Sequence, residues 1–199
     1  MMSLSMETTD EELVVAYLAG QEDVFPVLMD RYLRSLYGFV FQLVRSDSAA
    51  EDIVQETFIK TWKNLSRFDV KKSFKTWVFA IAKNTAYDYL KKKKTLPFST
   101  FLNEAGESVL ENISDGSIHP EIILDQEATA HDLDKKLQML TPAYRTLLDL
   151  HYKRGFSLHE ISDILQVPYN TVKSRHKRAL ESLRRAFTHD ASPQENYSY

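Results

Sequence analysis

Apolar residues recur every three or four positions through the first 94 residues of the chain, and no stretch shows the two-residue alternation of a strand. This pattern predicts four amphipathic helices, at residues 9–19, 22–44, 49–65 and 74–94. The fourth helix follows Ser73, ends in lysines that meet the negative end of the helix dipole, and turns an apolar stripe inward, formed by Phe74, Trp77, Val78, Ile81 and Ala82.

The third predicted helix separates two kinds of side chain. Ser48 and Glu51 have the S-x-x-E spacing of a capping box, which satisfies backbone donors in the first helical turn. Four apolar residues then follow at intervals of four, four and three, so they are expected to share one buried stripe: Val54, Phe58, Trp62 and Leu65. The other side of the helix carries Asp52, Gln55, Glu56, Ile59 and Lys63.

The helical pattern stops at Thr95 and resumes near Glu127, and Pro, Gly, Ser, Asn and acidic residues fill the interval. Farther on, Thr141-Pro142 predicts a helix start, and Gly155 predicts a break. Ser157 and Glu160 form a second capping box, which opens a short helix at 158–165. A three-residue turn at 166–168 separates this helix from the last one, at 168–187.

These elements predict an all-α protein with two small helical domains joined by an acidic linker. The expected boundaries are a first domain at 1–94, a linker at 95–126, a second domain at 127–187 and a flexible tail at 188–199. A length of 199 residues permits either one large domain or two small ones. The loss of helical periodicity in the middle of the chain favours two.

Composition narrows the class of protein. A hydrophobic fraction of 43% is too high for a disordered chain, and the absence of cysteine excludes a disulfide framework, a thiolate zinc site and a thiol nucleophile. The acidic N-terminus lacks the pattern of a secretory signal, and the longest apolar runs fall short of the roughly 20 residues that span a bilayer. We therefore expect a cytoplasmic protein with no membrane insertion.

Charge is distributed very unevenly along the chain, although the net charge is only −3. Residues 71–94 carry eight lysines and one acid, and residues 165–187 carry six basic residues and one acid. Residues 95–134 hold nine acids and no Lys or Arg, and residues 1–70 hold twelve acids against six bases. Two separate basic patches are the electrostatic footprint of phosphate binding, whereas a solvated charged face is the alternative explanation of each patch.

The last two helices have the sequence form of a helix-turn-helix, in which the second helix enters the major groove of DNA. In that helix one side is apolar, and the opposite side is basic and polar. The residues of its first half supply amino, guanidinium, hydroxyl and amide groups that can contact bases and phosphates: Asn170, Thr171, Lys173, Ser174, Lys177 and Arg178. An ordinary amphipathic terminal helix is the alternative.

Three strings resemble the extracytoplasmic-function group of the sigma-70 family, in the order in which that family has them. AEDIVQETFIKTWKNLSRFD is similar to region 2.2, FKTWVFAIAKNTAYDYLKKKK to regions 2.3 and 2.4, and GFSLHEISDILQVPYNTVKSRHKRALESLRRAF to region 4. The resemblance covers nearly the whole chain. It implies a sigma factor that binds core RNA polymerase and directs transcription initiation at promoters by recognising their minus-10 and minus-35 elements.

The resemblance also implies roles for individual residues. The third helix matches the surface that grips the clamp helices of the largest polymerase subunit, with Asp52, Gln55, Glu56 and Ile59. The fourth helix and the preceding loop match the surface that holds the opened minus-10 strand, with Arg67, Lys72, Ser73, Lys75, Lys83, Asn84 and Tyr87. In the last helix, the residues that align with the readers of minus-35 duplex are Lys173, Ser174, Lys177 and Arg178. Trp77 is expected in the core rather than on DNA.

Core RNA polymerase, promoter DNA and an anti-sigma protein are the partners that the resemblance implies. We expect no catalytic residue, metal or cofactor, because the six histidines are scattered and no Gly-rich phosphate loop or nucleophile motif is present. The alternatives are a helix-turn-helix transcription regulator that does not join polymerase, an enzyme, and a sigma-like scaffold that no longer recognises promoters. The N-terminal strings argue against the first of these.

Overall fold

The computed structural model describes residues 8–93 and 130–188, and all of its regular elements in these ranges are helical. The N-terminal group contains α1 (Asp10–Leu18), α2 (Val24–Val44), α3 (Asp47–Asn64), a 3₁₀ turn (Leu65–Arg67) and α4 (Phe74–Lys92). The C-terminal group contains α5 (Ala130–Met139), α6 (Pro142–Leu148), a π-helical turn (Asp149–Lys153), α7 (Leu158–Leu165) and α8 (Tyr169–Thr188). The all-α prediction is confirmed. The domain boundaries remain predictions, since the linker 95–126 and residues 189–199 of the tail lie outside the described residues.

Side-chain caps fix the starts of three predicted helices. The Ser73 hydroxyl accepts a hydrogen bond from the backbone of Thr76, and the Thr141 hydroxyl accepts one from the backbone of Tyr144. Ser157 and Glu160 form the complete reciprocal capping box that their spacing predicts. Each cap satisfies an amide that the first helical turn leaves without an internal partner, so these boundaries follow from local chemistry.

The predicted capping box at Ser48 is wrong. Helix α3 begins two residues earlier than that box requires, at Asp47, so Ser48 lies inside the first turn and Ser46 takes the N-cap position. Asp47 places a carboxylate at the positive end of the helix dipole, and this carboxylate accepts a 2.6 Å hydrogen bond from the Tyr37 hydroxyl on α2. The tertiary contact and the dipole together favour the earlier start.

Trp62 lies outside the stripe that the sequence predicts for it. Its side chain is 52% exposed, while Val54, Phe58 and Leu65 are buried as expected. At 3.6 residues per turn Trp62 is rotated by roughly 80° from Val54, which places it at the edge of the stripe. Two threonines occupy the core-facing positions instead, because each hydroxyl donates to the carbonyl four residues earlier, Thr57 to Ile53 (2.7 Å) and Thr61 to Thr57 (2.8 Å).

Aromatic side chains form much of the N-terminal core. The fully buried rings of Phe39 and Phe79 lie 5.3 Å apart, between α2 and α4. Trp77 is half-buried, and its ring lies 4.9 Å from Phe68 and 5.7 Å from Phe74, so it packs against the core as the sequence predicts. These contacts fix the axial rotation of α4 and therefore determine which of its side chains face away from the bundle.

The two helical groups share one hydrophobic core in this structure. A single cluster of buried residues runs from α1–α4 into α6, α7 and α8. Phe156, in the loop before α7, is buried, and its ring meets Phe79 of α4 edge-on at 5.0 Å. The C-terminal group therefore packs directly on α4. No helix within 8–93 or 130–188 is long and apolar enough to cross a bilayer.

Candidate nucleic-acid interface

The helix-turn-helix is built by local chemistry at both ends of α7. The Ser157–Glu160 box begins the helix, and Gln166 ends it in the left-handed conformation, with φ of 57°. The exposed ring of His159 on α7 stacks on the ring of Tyr169, the first residue of α8, with centroids 3.9 Å apart and planes 4° from parallel. These features set the angle at which α8 leaves the turn.

Helix α8 buries one side and presents the other to solvent, as its sequence predicts. The buried side contains Val172, Ala179, Leu180 and Leu183. Four of the six predicted minus-35 readers are exposed: Asn170, Lys173, Ser174 and Arg178. The other two, Thr171 and Lys177, are half-buried at the edge of the same face. All six therefore lie along one accessible strip of α8, in the geometry that major-groove reading requires.

Two further side chains of α8, Arg175 and His176, lie outside this accessible strip and are less exposed. Arg175 is only 5% exposed although its sequence neighbours are basic and solvated. His176 packs its ring 5.0 Å from His151 and accepts or donates a 3.2 Å hydrogen bond with the Tyr152 hydroxyl. Burial, together with the nearby His151, lowers the pKa of His176 to about 4, so this imidazole is neutral at physiological pH. A count of basic residues in α8 therefore does not distinguish the buried Arg175 from the exposed basic residues that are predicted to contact DNA.

The predicted minus-10 residues fall into two sets. Arg67, Lys72, Ser73 and Asn84 are exposed. Lys75 and Tyr87 are half-buried, and Lys83 is only 4% exposed. The structure therefore brings the loop before α4 and Asn84 to an open surface, but it does not present Lys75, Lys83 and Tyr87 in the same way.

Burial has marked electrostatic consequences on α4. Desolvation lowers the pKa of Lys83 to about 8, with the Asp88 carboxylate acting in the opposite direction. The Lys83 ammonium lies 5.3 Å from the centroid of the Tyr87 ring. Burial raises the pKa of Tyr87, and the charge of Arg175 on α8 partly offsets this effect. A lysine and a tyrosine that suit contacts with a nucleic-acid strand are here held away from water.

Helix α3 presents a third surface, in which acidic, amide and apolar groups are mixed. All four predicted polymerase contacts are exposed: Asp52, Gln55, Glu56 and Ile59. Trp62 extends the same face, because Gln55, Ile59 and Trp62 follow one another at intervals of four and three. The Trp62 indole donates a 2.6 Å hydrogen bond to the hydroxyl of Tyr17 on α1, which fixes the orientation of its ring. Ile59 (51% exposed) and Trp62 (52%) thus form an apolar centre beside two carboxylates.

The sequence could have indicated Trp62. A helical wheel centred on the small buried residues Ala50, Thr57 and Thr61, rather than on the large ones, places Trp62 on the polar side. The signal is weak because a tryptophan at helical spacing is usually a core residue. No group of three or more His, Asp or Glu within 8–93 and 130–188 is arranged to hold a metal ion.

Comparisons with known proteins agree with this architecture. The family model for Sigma-70 region 2 matches residues 28–95, and that for Sigma-70, region 4 matches residues 137–185. The chain is 31% identical over 183 residues to the ECF RNA polymerase sigma factor SigW of Bacillus subtilis, covering 90% of this chain and 97% of the relative. It is also 31% identical to the ECF RNA polymerase sigma-E factor of Escherichia coli K12, over 90% of this chain and 95% of that one.

Solved structures have the same fold. The sigma factor RpoE of Bartonella quintana, crystallised with the anti-sigma factor NepR, matches with a TM-score of 0.59 and 26% identity over 82% of this chain and 96% of that one. CnrH, in complex with the cytosolic domain of CnrY, matches with a TM-score of 0.62 over 91% of this chain and 98% of that one. At 21% identity the second match supports the fold alone.

Proposed function

Because the chain belongs to the extracytoplasmic-function group of the sigma-70 family, we propose that its three surfaces divide the work of promoter recognition among core RNA polymerase, minus-10 DNA and minus-35 DNA. The observation that carries the proposal is the accessible strip of α8, a helix-turn-helix face on which Lys173, Ser174 and Arg178 are exposed. It contacts minus-35 duplex in the major groove, where lysine and arginine reach guanine acceptors or phosphates.

The exposed face of α3 binds the clamp helices of the largest polymerase subunit. Asp52 and Glu56 supply negative charge for a basic partner, while Ile59 supplies an apolar contact. Trp62 joins this set as an anchor, since an ordered, half-exposed tryptophan has the size and rigidity typical of residues that dominate binding energy. The loop before α4 and Asn84 receive the opened minus-10 strand, together with Lys75, Lys83 and Tyr87.

The domain roles follow from these assignments. Residues 1–94 form the polymerase and minus-10 domain, residues 127–187 the minus-35 domain, and 95–126 the acidic linker between them. The chain acts as a transcription initiation factor and performs no covalent chemistry of its own. It works in the bacterial cytoplasm, where core polymerase is found. An anti-sigma protein is a further proposed partner, because the crystallised relative RpoE is bound by one.

Run-off transcription tests the proposal. Purified core polymerase and genomic fragments that include the region upstream of the protein's own gene are incubated with and without the protein. We expect defined start sites only when the protein is present. If the protein shifts duplex DNA but never yields a start site, the chain is a helix-turn-helix regulator that does not join polymerase.

A further inference from the structure

Three consecutive carboxylates open helix α1, and each has a different partner. Asp10, Glu11 and Glu12 occupy the first turn of the helix. Successive side chains on a helix point about 100° apart, so the three carboxylates face in different directions. Glu12 accepts a 2.9 Å hydrogen bond from the backbone amide of Thr9 and completes a capping box within α1. The other two carboxylates bind groups on other helices.

Asp10 ties α1 to α2. Its carboxylate accepts a hydrogen bond from the Tyr32 hydroxyl, and the Arg31 guanidinium donates to it at 2.8 Å. Burial and the neighbouring Asp10 carboxylate raise the pKa of Tyr32, so this hydroxyl keeps its proton and remains a donor. One turn farther along α1, Leu13 and Val14 are buried in the core. The first turn of α1 therefore has a fixed position on α2.

Glu11 reaches the start of α4. Its carboxylate accepts a 2.9 Å hydrogen bond from the backbone amide of Phe74, the first residue of that helix, 63 positions farther along the chain. The Ser73 hydroxyl already caps the amide of Thr76, so Glu11 satisfies a second amide that the first helical turn leaves without an internal partner. Its negative charge also lies at the positive end of the α4 dipole. A side chain from α1 thus completes the N-terminus of α4.

The loop at 67–73 ends at this contact. At its beginning Phe68 is buried, and its ring meets that of Phe74 edge-on at 5.6 Å. The Asp69 carboxylate then accepts a 3.1 Å hydrogen bond from the backbone amide of Lys71, which closes a tight turn. The loop is therefore anchored at one end by an aromatic contact and at the other by the carboxylate that α1 supplies.

The exposed groups of this loop are among those proposed to receive the opened minus-10 strand. Arg67, Lys72 and Ser73 lie in it, and Ser73 directly precedes the amide that Glu11 binds. Binding groups retain their affinity only when they are held within about 0.5 Å of the productive geometry. A carboxylate beside a phosphate strand repels it, so any favourable effect of Glu11 on strand binding must come from geometry and not from charge.

We propose that Glu11 is a positioning residue for minus-10 recognition, which fixes the first turn of α4 and thereby the placement of Lys72 and Ser73 toward the opened strand. The proposal rests on the proposed function for the identity of that strand. Asp10 fixes α1 to α2, and Glu11 fixes the end of the loop to α1. The role requires a hydrogen-bond acceptor at this position and does not require a charge.

Two substitutions separate the acceptor from the charge. Glu11→Gln and Glu11→Ala both remove the negative charge, but only glutamine keeps an oxygen that can accept from the Phe74 amide. Loss of the charge by itself favours strand binding, and to the same degree in both variants. Glu22→Ala removes an exposed acid from the turn before α2 and is the matched control for charge. A difference between the two Glu11 variants therefore measures the effect of the acceptor.

Strand binding is measured with each full-length protein assembled on core polymerase. The probe is the fluorescein-labelled non-template strand of the minus-10 segment of a promoter mapped by run-off transcription, and binding is followed by anisotropy. We expect the alanine variant to bind roughly three- to tenfold more weakly than the glutamine variant, the factor that corresponds to one hydrogen bond. Affinity for core polymerase should be the same in all variants. Equal strand binding by the alanine and glutamine variants would overturn the proposal.

Hydrogen exchange of the Phe74 amide is the second measurement, and it needs neither polymerase nor DNA. It is followed by NMR on the free full-length chain. We expect faster exchange in Glu11→Ala than in Glu11→Gln, with the amides of α2 unchanged. Equal Phe74 exchange in the two variants, or an equal acceleration throughout α2, would overturn the local positioning role. If the unmodified chain yields no start site in run-off transcription, the proposed function fails instead, so the two failures are distinguishable.

Discussion

The two proposed DNA surfaces of this protein differ in how accessible their basic side chains are to DNA. The strip on α8 is open, with Lys173, Ser174 and Arg178 in solvent. On α4, Lys75 and Lys83 are held by the rest of the chain. Both helices are amphipathic and basic, so the difference does not come from composition. It arises because α8 packs by one side against α5, α6 and α7 and leaves its basic side exposed, whereas α4 packs against α2, α3 and α7.

This contrast teaches that a basic helix becomes a DNA surface only when its cations are free of other partners. Duplex reading needs a rigid helix whose outer face is already exposed, because the major groove accepts it without rearrangement. Lys75 and Lys83 do not meet that condition in this structure, because the Lys75 ammonium is held by the Arg154 carbonyl and Lys83 is buried.

Phe156→Ala should loosen the contact that covers α4. Replacing a fully buried phenylalanine with alanine costs about 3–5 kcal/mol of the free energy of unfolding, through lost burial and the cavity left behind. Urea denaturation followed by circular dichroism measures this loss. Met139→Ala, at a position that is 71% exposed, is the control and should change stability by less than about 0.5 kcal/mol. Similar stabilities for the two variants would show that Phe156 does not join the groups.

Trp62→Ala should weaken polymerase binding without affecting either DNA surface. A well-oriented interface tryptophan contributes about 2 kcal/mol or more, which corresponds to a loss of roughly 30-fold in affinity for core polymerase. Fluorescence titration of labelled protein with core polymerase measures it. Leu33→Ala, an equally exposed apolar residue on α2, is the matched control. If both variants bind polymerase as the unmodified chain does, Trp62 is not an anchor.

Arg178→Ala should weaken minus-35 duplex binding and leave polymerase affinity intact. Loss of one base or phosphate contact costs about 1–3 kcal/mol, and a lost phosphate contact also reduces the salt dependence of binding by about one ion. Electrophoretic shifts on the mapped promoter at several salt concentrations separate these possibilities. Lys173→Ala should behave in the same way, and Arg184→Ala, beyond the strip, should have a smaller effect. Equal loss of polymerase and DNA binding would contradict the division into surfaces.

We expect the free energy of unfolding to increase with pH in the alkaline range, because the pKa of Lys83 is lowered in the folded protein. Its pKa is about 8 in the folded protein, against 10.5 for a lysine side chain in water, so between these values the unfolded chain binds more protons and unfolding becomes less favourable as pH increases. The slope is on the order of 1 kcal/mol per pH unit. Urea titrations from about pH 7.5 to about 9.5 measure it, and Lys83→Met should flatten the dependence. A steep slope that survives in the variant would assign the effect to another group.

Local patterns predicted most of the architecture. The caps at Ser73, Thr141 and Ser157 lie where the sequence places them, because each requires only a side chain and an amide within the same helical turn. The exposed side of α8 was equally accessible to sequence reasoning, since a 3.6-residue period separates its two faces. The exposed residues of α3 followed from the same argument.

The errors occur where a residue has two plausible environments. Trp62 was expected in the core because large apolar residues usually lie there, but Thr57 and Thr61 satisfy their hydroxyls within the helix and occupy that side. Ser48 has the correct spacing for a cap, yet a contact from Tyr37 to Asp47 favours an earlier start. Arg175 belongs to the basic run of α8 and is nonetheless buried. At two of these positions a contact from another helix takes part: Tyr17 on α1 accepts from the Trp62 indole, and Tyr37 on α2 donates to Asp47.

The sequence by itself determined the all-α class, the helix-turn-helix, the exposed polar side of α8 and the acidic face of α3, because helical periodicity and capping act within a few residues. Only the tertiary structure decided that α4 carries two kinds of basic residue. Arg67 and Lys72 are exposed, whereas Lys75 donates its hydrogen bond to the Arg154 carbonyl of the C-terminal group and Lys83 is buried. That contact joins positions 79 and 84 residues apart, between Lys75 and Arg154 and between Thr76 and Glu160, and no local pattern encodes such a separation.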